Sequence, residues 1–146
     1  MTSKKEDSII FKALQNIKLR DMKTVDEINL ENESILQQIV ERFSYYENNS
    51  YEDLLEFAKK KNLTIVEDTS EFKNGDPLYY INLNKFYNLK FRYIGHFISL
   101  TDDLSIKTVM IRKNKFYYTT KTDNKVFFRL IKNEDKLKMK LYEILQ

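Results

Sequence analysis

Hydrophobic periodicity changes character once along this 146-residue chain, around Lys73-Asn74-Gly75-Asp76-Pro77. That cluster is the strongest turn signal in a sequence with only two glycines and one proline. Before it, apolar residues recur at helical spacing. Ile10, Leu14 and Ile17 follow i, i+4, i+7, with Asp7 or Ser8 able to cap. Ile35, Leu36, Ile39, Val40 and Phe43 form a stronger stripe, which predicts a helix from about Glu31 to Tyr46. Ser50 and Asp53 imitate a capping box ahead of Leu54, Leu55 and Ala58. Lys59, Lys60 and Lys61 suit the negative end of that third helix, and Asn62 suits a left-handed terminal residue.

Beyond the turn the period is two, and one short run ahead of it already departs from helical spacing. Leu63–Val66 is a short β-rich run. Alternation then recurs around Tyr79–Leu83, Leu89–Tyr93, Leu104–Met110, Phe116–Thr120 and Val126–Leu130. Asp102-Asp103, Lys113-Asn114 and Asp123-Asn124 are the expected turns, and such short spacings demand antiparallel pairing. Asn133 with Glu134 and Asp135 opens a last helix, expected to bury Leu137, Leu141, Ile144 and Leu145. The pattern predicts an α+β domain: three N-terminal helices, an antiparallel meander of about four to five strands, and a C-terminal helix. Length is that of one domain, residues 1–146, with no linker and no internal repeat.

Charge divides at the same turn. Residues 1–77 hold 11 Lys+Arg against 16 Asp+Glu, a net of −5. Residues 78–146 hold 14 against 6, a net of +8, together with 13 of the 20 Phe and Tyr. A basic, aromatic half implies an anionic partner. The acidic half reads first as a solvated helix face around Glu27, Glu31, Glu33, Glu41 and Glu47. Its alternative is a face docking on a basic protein or on the basic sheet of a second copy, hence a possible homodimer. The absence of cysteine excludes disulfides and thiolate metal sites and suits a reducing compartment, the cytoplasm. The charged start has no signal-peptide core behind it, and no apolar run reaches the length of a membrane span. Lys outnumbers Arg 20 to 5, a mark of AT-rich coding that fits low-GC bacteria, phages, plasmids and some large viruses.

The sharpest site candidate is the second face of the sheet. If Val126, Phe128 and Leu130 point inward, Lys125, Phe127 and Arg129 point outward. A hairpin through Thr122-Asp123-Asn124 would set Lys121 opposite Lys125, Thr119 opposite Phe127 and Tyr117 opposite Arg129. Lys90, Arg92, Lys107 and Lys115 would join from neighbouring strands and turns. Cations for phosphates and rings for bases are what single-stranded nucleic acid needs. The competing reading covers this face with a helix and makes Tyr117 and Phe127 core.

Other motifs carry less. Glu52–Phe72 imitates a helix-turn-helix, but Asp68 and Glu71 stand where apolar residues are needed. His96, the only histidine, lacks companions for a metal site. Glu71-Phe72-Lys73 and Glu134-Asp135-Lys136 match a nuclease element only by chance. Gly-rich phosphate loops and nucleophile elbows are absent. No cofactor is expected.

The expected function is a small non-enzymatic binding protein, mobile-element encoded, that recognises nucleic acid or a nucleic-acid-handling host protein in the manner of an anti-defence inhibitor. Three alternatives stay open. One is a sequence-independent DNA/RNA-binding regulator, and another an immunity protein or assembly subunit. The third is a metal-independent ribonuclease toxin using Arg92, His96, Tyr117 and Arg129; helices followed by an antiparallel sheet and a C-terminal helix are similar to the arrangement of small ribosome-dependent toxins.

Overall fold

The computed structural model describes residues 23–103 and 106–145, with backbone alone at residues 102, 103, 106–108 and 133. The expected helix around Ile10–Ile17 lies outside the described residues. Helix α1 spans Val25–Arg42, and α2 spans Tyr51–Lys61. Six strands follow: β1 Leu63–Ile65, β2 Pro77–Asn82, β3 Phe91–Asp103, β4 Ile106–Lys113, β5 Phe116–Lys121 and β6 Lys125–Leu130. Helix α3, Asn133–Leu145, ends the chain's described part. The class is α+β, with one strand more than the sequence pattern suggested.

Helix boundaries follow their caps. The Ser50 hydroxyl accepts from the Asp53 N–H, and Asn62 closes α2 in the left-handed conformation at φ 55°. Helix α1 starts earlier than expected because the Thr24 hydroxyl accepts from the Glu27 N–H, a cap eleven residues before the apolar stripe begins at Ile35. It also stops earlier, at Arg42, with Phe43 as its C-cap. The Asp102-Asp103 turn moves as well: both residues belong to β3, paired with Lys107 and Ile106.

The sheet is antiparallel in the order β1-β6-β2-β3-β4-β5. The last strand to be made therefore sits between the first two. This overturns the expected β5–β6 hairpin, since four inter-strand steps separate those strands in the order. In a flat sheet four steps are about 19 Å. The three residues joining Lys121 to Lys125 span at most about 15 Å. The sheet must therefore curl, and it does. The Lys125 ammonium donates to the Lys121 carbonyl at 3.1 Å, and the Tyr118 hydroxyl reaches across β4 to the Ile94 carbonyl.

Curling gives the sheet two apolar faces. The convex face meets α1 and α2 through Leu36, Ile39, Leu54, Leu63, Ile81 and Phe128. The concave face encloses Leu78, Ile94, Phe97, Val109, Ile111 and Phe127. Its closure comes from the segment between β1 and β2, which holds one 3-10 turn, Thr69–Glu71, and not from an α-helix. Phe72 stacks on Phe97 at 4.9 Å and meets Phe127 edge-on at 5.6 Å. Two irregularities bend β3 so that it serves both ends of the sheet, one at Ile94-Gly95 and one near Ile98.

Helix α3 packs differently from expectation. Met139 is its buried residue, joining Ile28 and Ile131, while Leu137, Ile144 and Leu145 are exposed. The helix is anchored by charge at its start: Asp135 lies 4.0 Å from Arg129. Among the described residues no helix is long and apolar enough to cross a membrane.

Candidate nucleic-acid interface

Helices α1 and α2 cover the convex face only over β1, β6, β2 and the start of β3. Among the described residues, nothing covers the same face across the rest of β3, β4 and β5. Directly opposed residues share a face, so the register defines its rows. One row is His96–Arg112–Tyr117, the next Ser99–Met110–Thr119, the next Thr101–Thr108–Lys121. No acidic residue stands in these rows. Tyr117 is 63% exposed and Tyr93 is 40% exposed. The Lys113 ammonium lies 5.8 Å from the Tyr93 ring centre, and the His96 ring meets Tyr93 edge-on at 6.4 Å.

His96 and Arg112 line a shallow cleft of about 460 Å³ with Asn74, Gly75, Tyr93 and Lys113. The geometry fixes their donors. His96 Nδ1 lies 3.0 Å from the Gly75 carbonyl, which can only accept, so Nδ1 carries the proton and Nε2 remains for a ligand. Arg112 Nε donates to the Asn114 carbonyl at 3.3 Å, which orients the guanidinium beside the β4–β5 turn. The larger cleft, about 540 Å³ between α1 and the Phe72 segment, carries Glu31 and Glu67. Its charge is the wrong sign for a polyanion.

The expected site residues separate. Tyr117 and Lys121 lie on the uncovered face, and Lys115 is exposed in the β4–β5 turn. Phe127, 5% exposed, is sealed under Phe72 on the other face. Arg129 is half-buried on that face too, with its Nη1 3.8 Å from Asp76 Oδ2. Asp76 is only 1% exposed and also meets the Lys132 ammonium at 3.1 Å. This cluster ties β6, the start of β2 and α3 together as an internal joint held by charge; Asp76 Oδ2 and Arg129 Nε and Nη1 make no hydrogen bond among the described residues. Lys125 turns toward Lys121 at the open end of the curl. Arg92 shares the concave side with Tyr80. Lys90 is exposed beside α2. Lys107 pairs with Asp102 in the β3–β4 ladder, with its backbone alone described.

The sequence pattern does not point to Tyr93, Arg112 and Lys113, and it offers His96 only within the ribonuclease alternative. One signal for two of them was legible: residues 112–121 contain four cations, three aromatics and no acid. Among the described residues no group of three His, Asp or Glu side chains converges as metal ligands. Comparison with family models, curated proteins and solved structures finds no match to this chain.

Proposed function

We propose that this protein is a small binding module that docks single-stranded nucleic acid on the uncovered face of β3, β4 and β5. The observation carrying this reading is the His96–Arg112–Tyr117 row, with Tyr93 and Lys113 beside it and no acid within it. Exposed rings offer stacking surfaces that accept any base, and the cations meet phosphates. Lys115 and Lys121 extend the cationic track along the hairpin. The Lys-rich, AT-biased composition supports a phage or mobile-element origin, and with it an anti-defence role in which the module occupies a nucleic acid or the host protein that handles it. Cysteine-free composition supports action in the cytoplasm.

The test is fluorescence anisotropy with labelled single-stranded DNA and RNA. Binding is expected to weaken steeply between about 50 and 200 mM salt. Tyr117→Ala should weaken it by about 5- to 150-fold, the loss of one stacked base at about 1–3 kcal/mol. Arg112→Gln should flatten the salt dependence by about one phosphate contact. Absence of saturable binding at low salt sinks the nucleic-acid form. Capture of one nuclease-resistant protein partner, lost with the same variants, would then identify the inhibitor form.

A second reading rests on His96. Its free Nε2 shares the cleft with Arg112 and Lys113, an arrangement suited to metal-independent phosphodiester cleavage. RNA left intact after incubation with the wild-type chain would remove it.

A further inference from the structure

The two edges of the sheet are treated differently. At β1 the groups facing β6 belong to Asn62, Thr64 and Val66, as shown by the Ile131 N–H to the Asn62 carbonyl and the Val66 N–H to the Phe127 carbonyl. Leu63 and Ile65 therefore point outward, and there the buried Asn32 side chain satisfies both. Its amide donates to the Leu63 carbonyl at 2.8 Å and its oxygen accepts from the Ile65 N–H at 3.1 Å. One side chain of α1 thus stands in for a neighbouring strand and closes that edge.

The β5 edge has no such cover among the described residues. A two-residue turn, Asn114-Lys115, joins β4 to β5, so Lys113 and Phe116 form the hydrogen-bonded closing pair. Alternation then directs the backbone of Phe116, Tyr118 and Thr120 toward β4 and that of Tyr117, Thr119 and Lys121 outward. The strand is regular, with no proline and no register break against β4, and Phe116 is 74% exposed. The usual devices that blunt an edge are confined to a lysine at either end.

We infer that β5 pairs antiparallel with β5 of a second copy, with Thr119 on the two-fold axis. The strand is complementary to itself in this register. All three outward residues are used: Thr119 meets Thr119, and Tyr117 meets Lys121 in both directions. Thr–Thr and cation–aromatic pairs are favourable across strands. A two-fold axis at Tyr118 would set Lys115 against Lys121, a like-charge pair, and so is disfavoured. An axis between residues would direct inward-facing backbone groups into the joint. The resulting contact is isologous and closes on itself. It joins the two uncovered faces into one continuous sheet surface, with Tyr117 of each copy beside the axis.

The experiment uses the full chain without nucleic acid, so it stands or falls apart from the proposed binding activity. Light scattering after gel filtration, at tens of micromolar, should give twice the 17.7 kDa chain mass. Thr119→Pro removes an outward N–H without touching the β4 ladder, and proline is tolerated at such edge positions. It should return the mass to that of one chain, with circular dichroism unchanged. Thr119→Cys reports the register directly because the chain contains no cysteine. An opposed hydrogen-bonded pair lies about 5.5 Å apart between Cα atoms, within the disulfide range of about 4.4–6.8 Å. Oxidation should link this variant and leave Lys61→Cys, exposed at the end of α2, unlinked. A single-chain mass at every concentration overturns the inference. So does a dimer that survives Thr119→Pro, or one whose Thr119→Cys form links no faster than the control.

Discussion

Gly95 is the residue whose replacement tests the bent-strand geometry most directly. Its φ is +122°, and a Cβ built on it would lie 2.6 Å from the Arg112 carbonyl oxygen and 2.6 Å from the Ile111 Cγ2. The methyl of Ile111 can rotate away; the carbonyl cannot move unless β4 moves. Gly95→Ala therefore incurs backbone strain of about 1–3 kcal/mol and overpacking of about 1–3 kcal/mol. The total of about 2–6 kcal/mol is a large share of a typical domain stability of about 5–15 kcal/mol. Gly75→Ala is the internal control. Gly75 has a comparable φ of +86°, but nothing lies within 4 Å of its Cβ position, so only the strain applies. Urea unfolding followed by circular dichroism should show Gly95→Ala less stable than Gly75→Ala by about 1–3 kcal/mol at equal m-values. The gap should appear as a melting temperature lower by about 2–12 °C, at about 2–4 °C per kcal/mol for a chain of this size. Equal destabilisation of the two variants, within about 0.5 kcal/mol, would refute the close approach of β3 and β4. Because Arg112 follows Ile111 and opposes His96, the same variant should also weaken oligonucleotide binding.

Two further outcomes are expected. Asn32→Ala strips partners from the Leu63 carbonyl and the Ile65 N–H, and should cost about 2–6 kcal/mol in urea unfolding, at about 1–3 kcal/mol per orphaned group; the Ile65 amide should exchange faster with solvent than those of central strands. For Tyr118, burial first and then the neighbouring Tyr80 and Tyr93 raise the phenol above its ordinary value of 10.0. The folded state thus holds this proton more tightly, so its stabilisation is complete below about pH 10 and is lost as pH rises through the folded pKa. The stability difference between wild type and Tyr118→Phe should shrink above pH 10, and a pH-independent difference would contradict it.

The sequence carried its local chemistry well and its long-range pairing poorly. Ser50, Asn62 and the lysines of α2 do what their positions imply, because caps and dipoles act within one turn. Thr24-Val25-Asp26-Glu27 was an equally local signal, overshadowed by the apolar stripe from Ile35 onward. Strand existence followed from alternation, but alternation is silent on neighbours. The spacing of Phe116–Lys121 and Lys125–Leu130 looked like a hairpin. Tyr79 pairing with Phe128, and Leu63 with Leu130, are tertiary facts that no short window contains. Alternation put Phe127 and Arg129 on the face opposite Phe128, as found, but no short window shows that the Phe72 segment closes that face. Inside, a ring finds Phe72 and a cation finds Asp76. Tyr117 escaped the error because an edge strand with one neighbour stays exposed wherever the rest of the sheet goes.

The central position of β6 has a temporal meaning during synthesis. Contacts between residues far apart in the chain are slow to form. Here the helices and first strand emerge long before the strand that bridges β1 to β2. Until residue 130 is free, Leu36, Leu54 and Leu63 have no Phe128 to rest against. A growing chain must keep these groups wetted or shielded by a chaperone, and any product ending before β6 is left with two unjoined fragments of sheet and an open core.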